Sequence, residues 1–69
     1  MASKARRIVT ELFRLFHSEP LCLPAEWRAQ TDGAGTAVTA RVVADYIAGM
    51  TDRFALDEHS RLFDPNTAT

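Results

Sequence analysis

The sequence has few of the features that mark a secreted, membrane-bound or polyanion-binding protein. Its one cysteine, Cys22, cannot form an internal disulfide. No signal segment is present, which predicts a cytoplasmic chain. Uninterrupted apolar runs are too short to span a membrane. Eight Lys and Arg residues against nine Asp and Glu residues argue against general binding of nucleic acid.

The motifs that usually carry catalysis are also missing. The sequence has no glycine-rich phosphate loop, no histidine–aspartate doublet and no serine nucleophile motif. His17 and His59 are far apart, and neither has a second metal ligand at helical spacing. Cys22 lies between two leucines, which favours a buried thiol over a nucleophile. We therefore predict no catalytic set, no metal site and no cofactor in this chain.

The length of the chain limits how stable it is alone. Sixty-nine residues form at most one small domain. A domain of this size buries only about 60% of the surface of its unfolded chain. The gain from apolar burial is then close to the conformational entropy lost on folding. We expect the chain to need a partner surface, either a second copy or the rest of a larger protein.

The first predicted helix covers residues 3–17. Apolar residues such as Ile8, Leu12 and Phe16 recur in it at helical spacing. Pro20 ends the helix soon afterwards, because proline restricts the preceding residue and cannot donate a backbone hydrogen bond.

Basic residues crowd the first turn of this helix. Lys4, Arg6 and Arg7 lie where the helix dipole favours acids. A helix that began at Ser3 would be poorly charged, so we expect the numbered start to be a cut through a longer chain.

A short helix is predicted over 24–30, with Pro24 well placed at its start. Trp27 is expected to lie over the groove between the two longer helices. A flexible loop follows over 31–36, where Gly33 and Gly35 favour turns.

The main predicted helix covers residues 37–55, and Thr36 or Thr39 is expected to cap its start. The remaining predicted elements are a short helix over 57–63, begun by Asp57, and a frayed tail over 64–69. No stretch alternates well enough to form a strand. The pattern therefore predicts an all-α fold, a small bundle of two main helices with short helices beside them.

The main helix has two unlike faces. The apolar residues of this helix, together with Tyr46, fall within one arc of its surface. Arg41, Asp45 and Asp52 fall on the opposite side, beside alanines. The predicted core of the domain is Ile8, Leu12, Phe16, Trp27, Val42, Val43, Ile47, Met50 and Phe54. The polar face is either solvent surface, with an i,i+4 pair between Arg41 and Asp45, or a contact with a neighbouring domain. In the second case, Gly49 lets another backbone come close.

Several segments resemble one bacterial family. The run DYIAGMTDRFAL over 45–56 is similar to the C-terminal signature of deoxyguanosinetriphosphate triphosphohydrolase-like proteins. The segments ARRIV over 5–9, LPAEW over 23–27 and RLF over 61–63 are similar too. The likeness covers most of the chain and is weakest over 30–38.

The resemblance implies a parent enzyme of the helical HD superfamily of phosphohydrolases. Such enzymes use a divalent metal, held by histidines and aspartates, to release triphosphate from a deoxynucleoside triphosphate. Those ligands belong to an earlier part of the family's proteins, and nothing here matches them. The resemblance therefore implies a C-terminal associated region without catalytic residues. The signature residues assigned to docking on the HD catalytic domain of the same chain are Asp45, Tyr46, Gly49, Asp52 and Arg53.

Two other functions remain open from the sequence. One is a free-standing interaction module that forms a homo-oligomer through the apolar stripe from Val42 to Phe54. The other is a helix-turn-helix DNA-binding protein. It is disfavoured because the candidate recognition helix exposes acids.

Overall fold

Every regular element in the described part of the chain, residues 5–63 of the computed structural model, is helical. The all-α class predicted from the sequence is therefore confirmed. The elements are α1 at Arg6–Ser18, a 3₁₀ turn at Pro20–Cys22, α2 at Ala25–Arg28, α3 at Ala37–Ala48 and α4 at Asp52–Phe63. No helix in this range is both long and apolar enough to cross a membrane. The predicted helix start at residues 3–4 and the predicted tail over 64–69 lie outside the described residues.

Helix α1 begins without a capping side chain and has no acid in its first turn. It ends where the proline was expected to end it, since the backbone leaves the helix at Glu19, just before Pro20. The N–H of Glu19 still donates to the carbonyl of Leu15 at 2.8 Å. The Ser18 hydroxyl donates to the carbonyl of Arg14 at 2.9 Å and also lies 3.1 Å from the carbonyl of Leu15, one of the last four carbonyls of the helix.

The core forms where α1 packs against α3, with contributions from Leu23 and from α4. Leu12, Phe16 and Val43 are fully buried there. The ring of Tyr46 packs edge-on against Phe16, with 5.5 Å between the ring centroids. The other buried apolar residues of this core are Leu23, Val42, Ile47, Met50 and Ala55. Ile8 and Trp27 are half-buried and pack against it.

The loop before α3 is fastened to the end of α1. The Gly35 N–H donates to the carbonyl of His17 at 2.8 Å, and the His17 ring lies 3.0 Å from the carbonyl of Thr36. Gly35 has a φ of +75°, which favours glycine. The hydroxyl of Thr36 accepts the N–H of Thr39 at 3.0 Å, so Thr36 caps α3.

The predicted long helix over 37–55 is two helices. Helix α3 ends at Ala48, and α4 begins at Asp52 after a turn over 49–51. Thr51 restarts the helix, because its hydroxyl accepts the N–H of Phe54 at 3.1 Å. Met50 turns inward and is 7% exposed. A break was expected near residue 57, but Asp57 lies inside α4 and pairs with Arg53.

This turn also moves one predicted core residue to the surface. Phe54 is 48% exposed, whereas the next residue, Ala55, is 1% exposed. A single helical wheel drawn through both helices does not describe the faces of α4, because the chain changes direction at the turn. Helix α4 therefore buries Ala55 and Glu58 in place of Phe54.

Candidate docking surface

Four of the five residues assigned to docking lie on either side of the turn between α3 and α4. Asp45 and Gly49 are on the α3 side, Asp52 and Arg53 are on the α4 side, and all four are exposed. Asp45 lies 3.7 Å from the guanidinium of Arg41, and both side chains are more than half exposed. A pair of this kind contributes little to stability, because water competes for both charges. The charged groups of Arg41 and Asp45 thus remain accessible for other hydrogen bonds.

Tyr46, the fifth residue, points the other way. Its side chain is 7% exposed, and its hydroxyl donates to Oε2 of Glu58 at 3.0 Å. The other oxygen of Glu58, Oε1, accepts from the Nε of Arg61 at 2.9 Å. Burial, followed by the hydrogen bond to Glu58, raises the pKa of Tyr46 to about 12. The phenol is therefore used inside the domain, where it joins α3 to α4.

A second polar contact joins α1 to α4. Nε2 of His59 lies 2.6 Å from Oε1 of Glu11, and the His59 ring stacks on Phe63 with 4.6 Å between centroids. The hydrogen bond from His59 lowers the pKa of Glu11 below its ordinary value. Sequence reasoning missed Glu11 and Glu58. Both contacts join residues on different helices, and no local spacing in the sequence marks them.

Helix α4 exposes most of its large apolar residues. Phe54, Leu56 and Phe63 are 48%, 51% and 42% exposed, while the same helix buries the acid Glu58. Where exposed apolar side chains form a contiguous patch, such a surface is typical of sites that bind another protein.

An apolar groove lies between α1 and α3. It has a volume of about 270 Å³ and is lined by Val9, Phe13, Ala44, Ile47 and Ala48. Two residues assigned to docking directly follow the lining alanines in the sequence, since Asp45 comes after Ala44 and Gly49 after Ala48. The groove therefore adjoins the α3 part of the predicted docking set.

A cleft of about 470 Å³ lies between the end of α1 and the loop that follows α2. Arg28 lines it and donates to the carbonyl of Leu21 at 3.4 Å. Leu21 itself is 78% exposed. The cleft is lined mainly by small and apolar residues and has no acid–base pair suited to catalysis.

Metal ligands do not converge in the described part of the chain. Over residues 5–63, no three side chains of His, Cys, Asp or Glu approach closely enough to hold an ion. The residues here therefore do not fit the metal that the HD resemblance implies, and we assign no step of hydrolysis to them.

Known proteins show which family this helical unit represents. Residues 1–61 match the phosphohydrolase-associated domain. A deoxyguanosinetriphosphate triphosphohydrolase-like protein of Parvibaculum lavamentivorans is 61% identical over 62 residues, which covers 90% of this chain. Proteins of the same name from Caulobacter sp. strain K31 and Geobacter sulfurreducens are 59% and 51% identical, over 88% and 94% of this chain.

The chain spans only 16% of the length of each of these three relatives. No solved structure matches it at a significant level. The family match nevertheless extends over most of the sequence, and the chain therefore belongs to the phosphohydrolase-associated domain family.

Proposed function

We propose that this chain is the non-catalytic C-terminal domain of a deoxynucleoside triphosphate triphosphohydrolase and packs on its HD catalytic domain. The observation that carries the proposal is the 61% identity to a protein named deoxyguanosinetriphosphate triphosphohydrolase-like, of which the chain covers only 16%. We expect a segment with this identity to have the same role in the parent of this chain as in that relative, as one part of a much longer polypeptide.

The distribution of polar and apolar groups supports a packing role. Phe54 and Leu56 are about half exposed on α4, and the apolar groove between α1 and α3 is open. Covering such surfaces gains roughly 25 cal/mol for each Å² of apolar area removed from water. Docking on a larger domain would therefore add the stability that a domain of 69 residues lacks.

The chemistry of the parent enzyme is assigned to another part of its chain. Histidines and aspartates there would hold a divalent metal, which would supply Lewis-acid chemistry for hydrolysis. Within residues 5–63, His59 is already engaged with Glu11, and His17 with the carbonyl of Thr36. The role of this domain is to support the fold and the subunit contacts of the catalytic part.

Comparing three proteins tests the proposal. The full-length polypeptide, a version that ends before this segment and the 69-residue chain alone are each assayed with Mg²⁺ or Mn²⁺ and deoxynucleoside triphosphates. We expect triphosphate release by the full-length protein, reduced activity and stability after truncation, and none by the 69-residue chain. Triphosphate release by the short chain alone would refute the proposal. So would a parent gene without a histidine–aspartate doublet in the same reading frame.

A second candidate function is self-association. The exposed side chains of Phe54, Leu56 and Phe63 favour it, because a second copy would also cover them. Sedimentation of the full-length protein with Leu56→Ser separates the two. If this residue lies between copies, the subunit number falls, whereas packing within one polypeptide leaves it unchanged.

A further inference from the structure

The apolar groove between α1 and α3 has the chemistry expected of a site for the apolar face of a helix. Val9 and Phe13 of α1 form one wall, and Ile47 contributes to the other. Ala44 and Ala48, on the same helix as Ile47, also line the groove and are exposed in this chain. Because alanine side chains are short, a helix seated over them comes close enough for its own side chains to reach both walls.

Gly49 at the end of α3 points to a close neighbour. Its backbone is in the ordinary right-handed region, with φ −84° and ψ −4°. A methyl group added there would approach nothing closer than the carbonyl oxygens of Asp45 and Tyr46, at 3.8 Å. Neither backbone conformation nor packing within the described residues requires glycine at this position. The close approach of a group from outside the chain would require it.

A helix fits the groove better than an extended segment does. The walls are apolar and offer no edge strand, so an extended backbone would leave N–H and C=O groups unpaired against them. A helix satisfies its own backbone groups and presents one apolar face. Asp45 lies beside Ala44 in the sequence, and its contact with Arg41 is long, at 3.7 Å, so its carboxylate is available to accept a hydrogen bond from the incoming helix.

We infer that this groove holds the apolar face of a helix from the remainder of the same polypeptide, with a hydrogen-bond donor opposite Asp45. The inference rests on the proposed function. The matched segment is only 16% of a relative such as the Parvibaculum protein, so most of that polypeptide lies outside the segment and can supply the helix. The exposed apolar residues of α4 remain for other contacts.

Thiol labelling of the full-length polypeptide tests the inference. Ala48→Cys places a thiol in the groove, and Ala25→Cys places a matched thiol at an exposed position on α2, away from the groove. Each variant is treated with N-ethylmaleimide, and modification is followed by mass spectrometry of the peptide that carries the new thiol. Each rate is divided by the rate of the same variant in denaturant. We expect the groove thiol to react about tenfold more slowly, or slower still, than the control thiol, because a bound helix must first open.

Each outcome supports or overturns the inference. Equal normalised rates at the two positions, whether fast or slow, overturn it. Protection that disappears when dilution separates subunits, as judged by sedimentation, also overturns it, because the occupant is then a second copy. Hydrolysis of deoxynucleoside triphosphates is measured on the same samples. Equal labelling in an active enzyme rejects the groove assignment alone, whereas an inactive full-length protein rejects the proposed function.

Discussion

The hydroxyl of Tyr46 donates a hydrogen bond of 3.0 Å to Oε2 of Glu58, and this bond ties α3 to α4 inside the domain. Arg61 holds the other oxygen of Glu58 at 2.9 Å. Both oxygens of this buried acid are therefore satisfied. Across residues 5–63, no buried side-chain nitrogen or oxygen lacks a partner. The network explains how α4 places a carboxylate, instead of Phe54, on its inner face.

The titration of Tyr46 reports directly on this contact. It is the one tyrosine of the chain, so the phenolate absorbance is unambiguous. We expect a midpoint near pH 12 for the folded chain and near pH 10 in denaturant. Since the folded state keeps the proton longer, this contribution to stability is complete below pH 10 and is lost as the pH rises through 12.

Glu58→Gln is the control for this titration. It keeps the shape of the side chain but removes the charge that holds the phenol proton. We expect a midpoint between the folded and denatured values, because burial still disfavours the phenolate. If the folded, unaltered chain titrated with a midpoint near the ordinary pKa of tyrosine, this result would contradict the buried contact.

The contact between His59 and Glu11 predicts sensitivity to acid. The hydrogen bond from His59 lowers the pKa of Glu11 below its ordinary value of 4.5. The unfolded chain therefore binds a proton at Glu11 before the folded chain does, as the pH falls. The stabilisation is present above about pH 4.5 and is lost as the pH drops through the folded pKa.

Urea unfolding at several acidic pH values measures this effect. We expect Glu11→Gln to reduce the slope of unfolding free energy against pH below 4.5. Glu19→Gln, a change at an exposed acid just after α1, is the matched control. If both variants show the slope of the unaltered chain, the contact between Glu11 and His59 does not contribute to stability.

Gly49→Ala tests whether glycine at this position is required within the 69-residue domain or by the part of the polypeptide that docks on it. Alanine fits the space, and it reduces the entropy of the unfolded chain, so we expect the 69-residue domain to gain about 0.5–1 kcal/mol. In the full-length polypeptide we expect the opposite effect, with faster labelling of a thiol placed at Ala48. Loss of stability in the short chain would show that glycine is needed locally.

Two valines on α3 offer a matched test of the core. Val43 is fully buried, whereas Val38 is 49% exposed. We expect Val43→Ala to cost about 2–3 kcal/mol, from lost transfer free energy and the cavity left behind. Val38→Ala should cost well under 1 kcal/mol, as surface substitutions usually do. Urea unfolding followed by circular dichroism measures both, and similar losses would contradict the packing of α1 on α3.

The sequence alone indicated the helical class and much of the chain's organisation. Apolar spacing predicts α1, and Pro20 predicts its end. The sequence offers Thr36 or Thr39 as the cap of α3, and Thr36 is the residue that caps it. These features depend on residues a few positions apart, where local sterics and backbone hydrogen bonds decide. The family resemblance was likewise carried by short contiguous runs, and the phosphohydrolase-associated match over residues 1–61 confirms it.

Only the tertiary structure decided where the main helix divides and what each side of α4 faces. The apolar spacing predicts one continuous helix, but the cap at Thr51 and the burial of Met50 interrupt it. As a result, Phe54 lies on the outer side of α4 and Glu58 on its inner side. The periodicity of a sequence fixes which residues share a helix face. It does not fix the direction that the face takes after a turn. That direction depends on contacts between distant residues, such as Tyr46 with Glu58, whose free energy exists only once the helices are packed together.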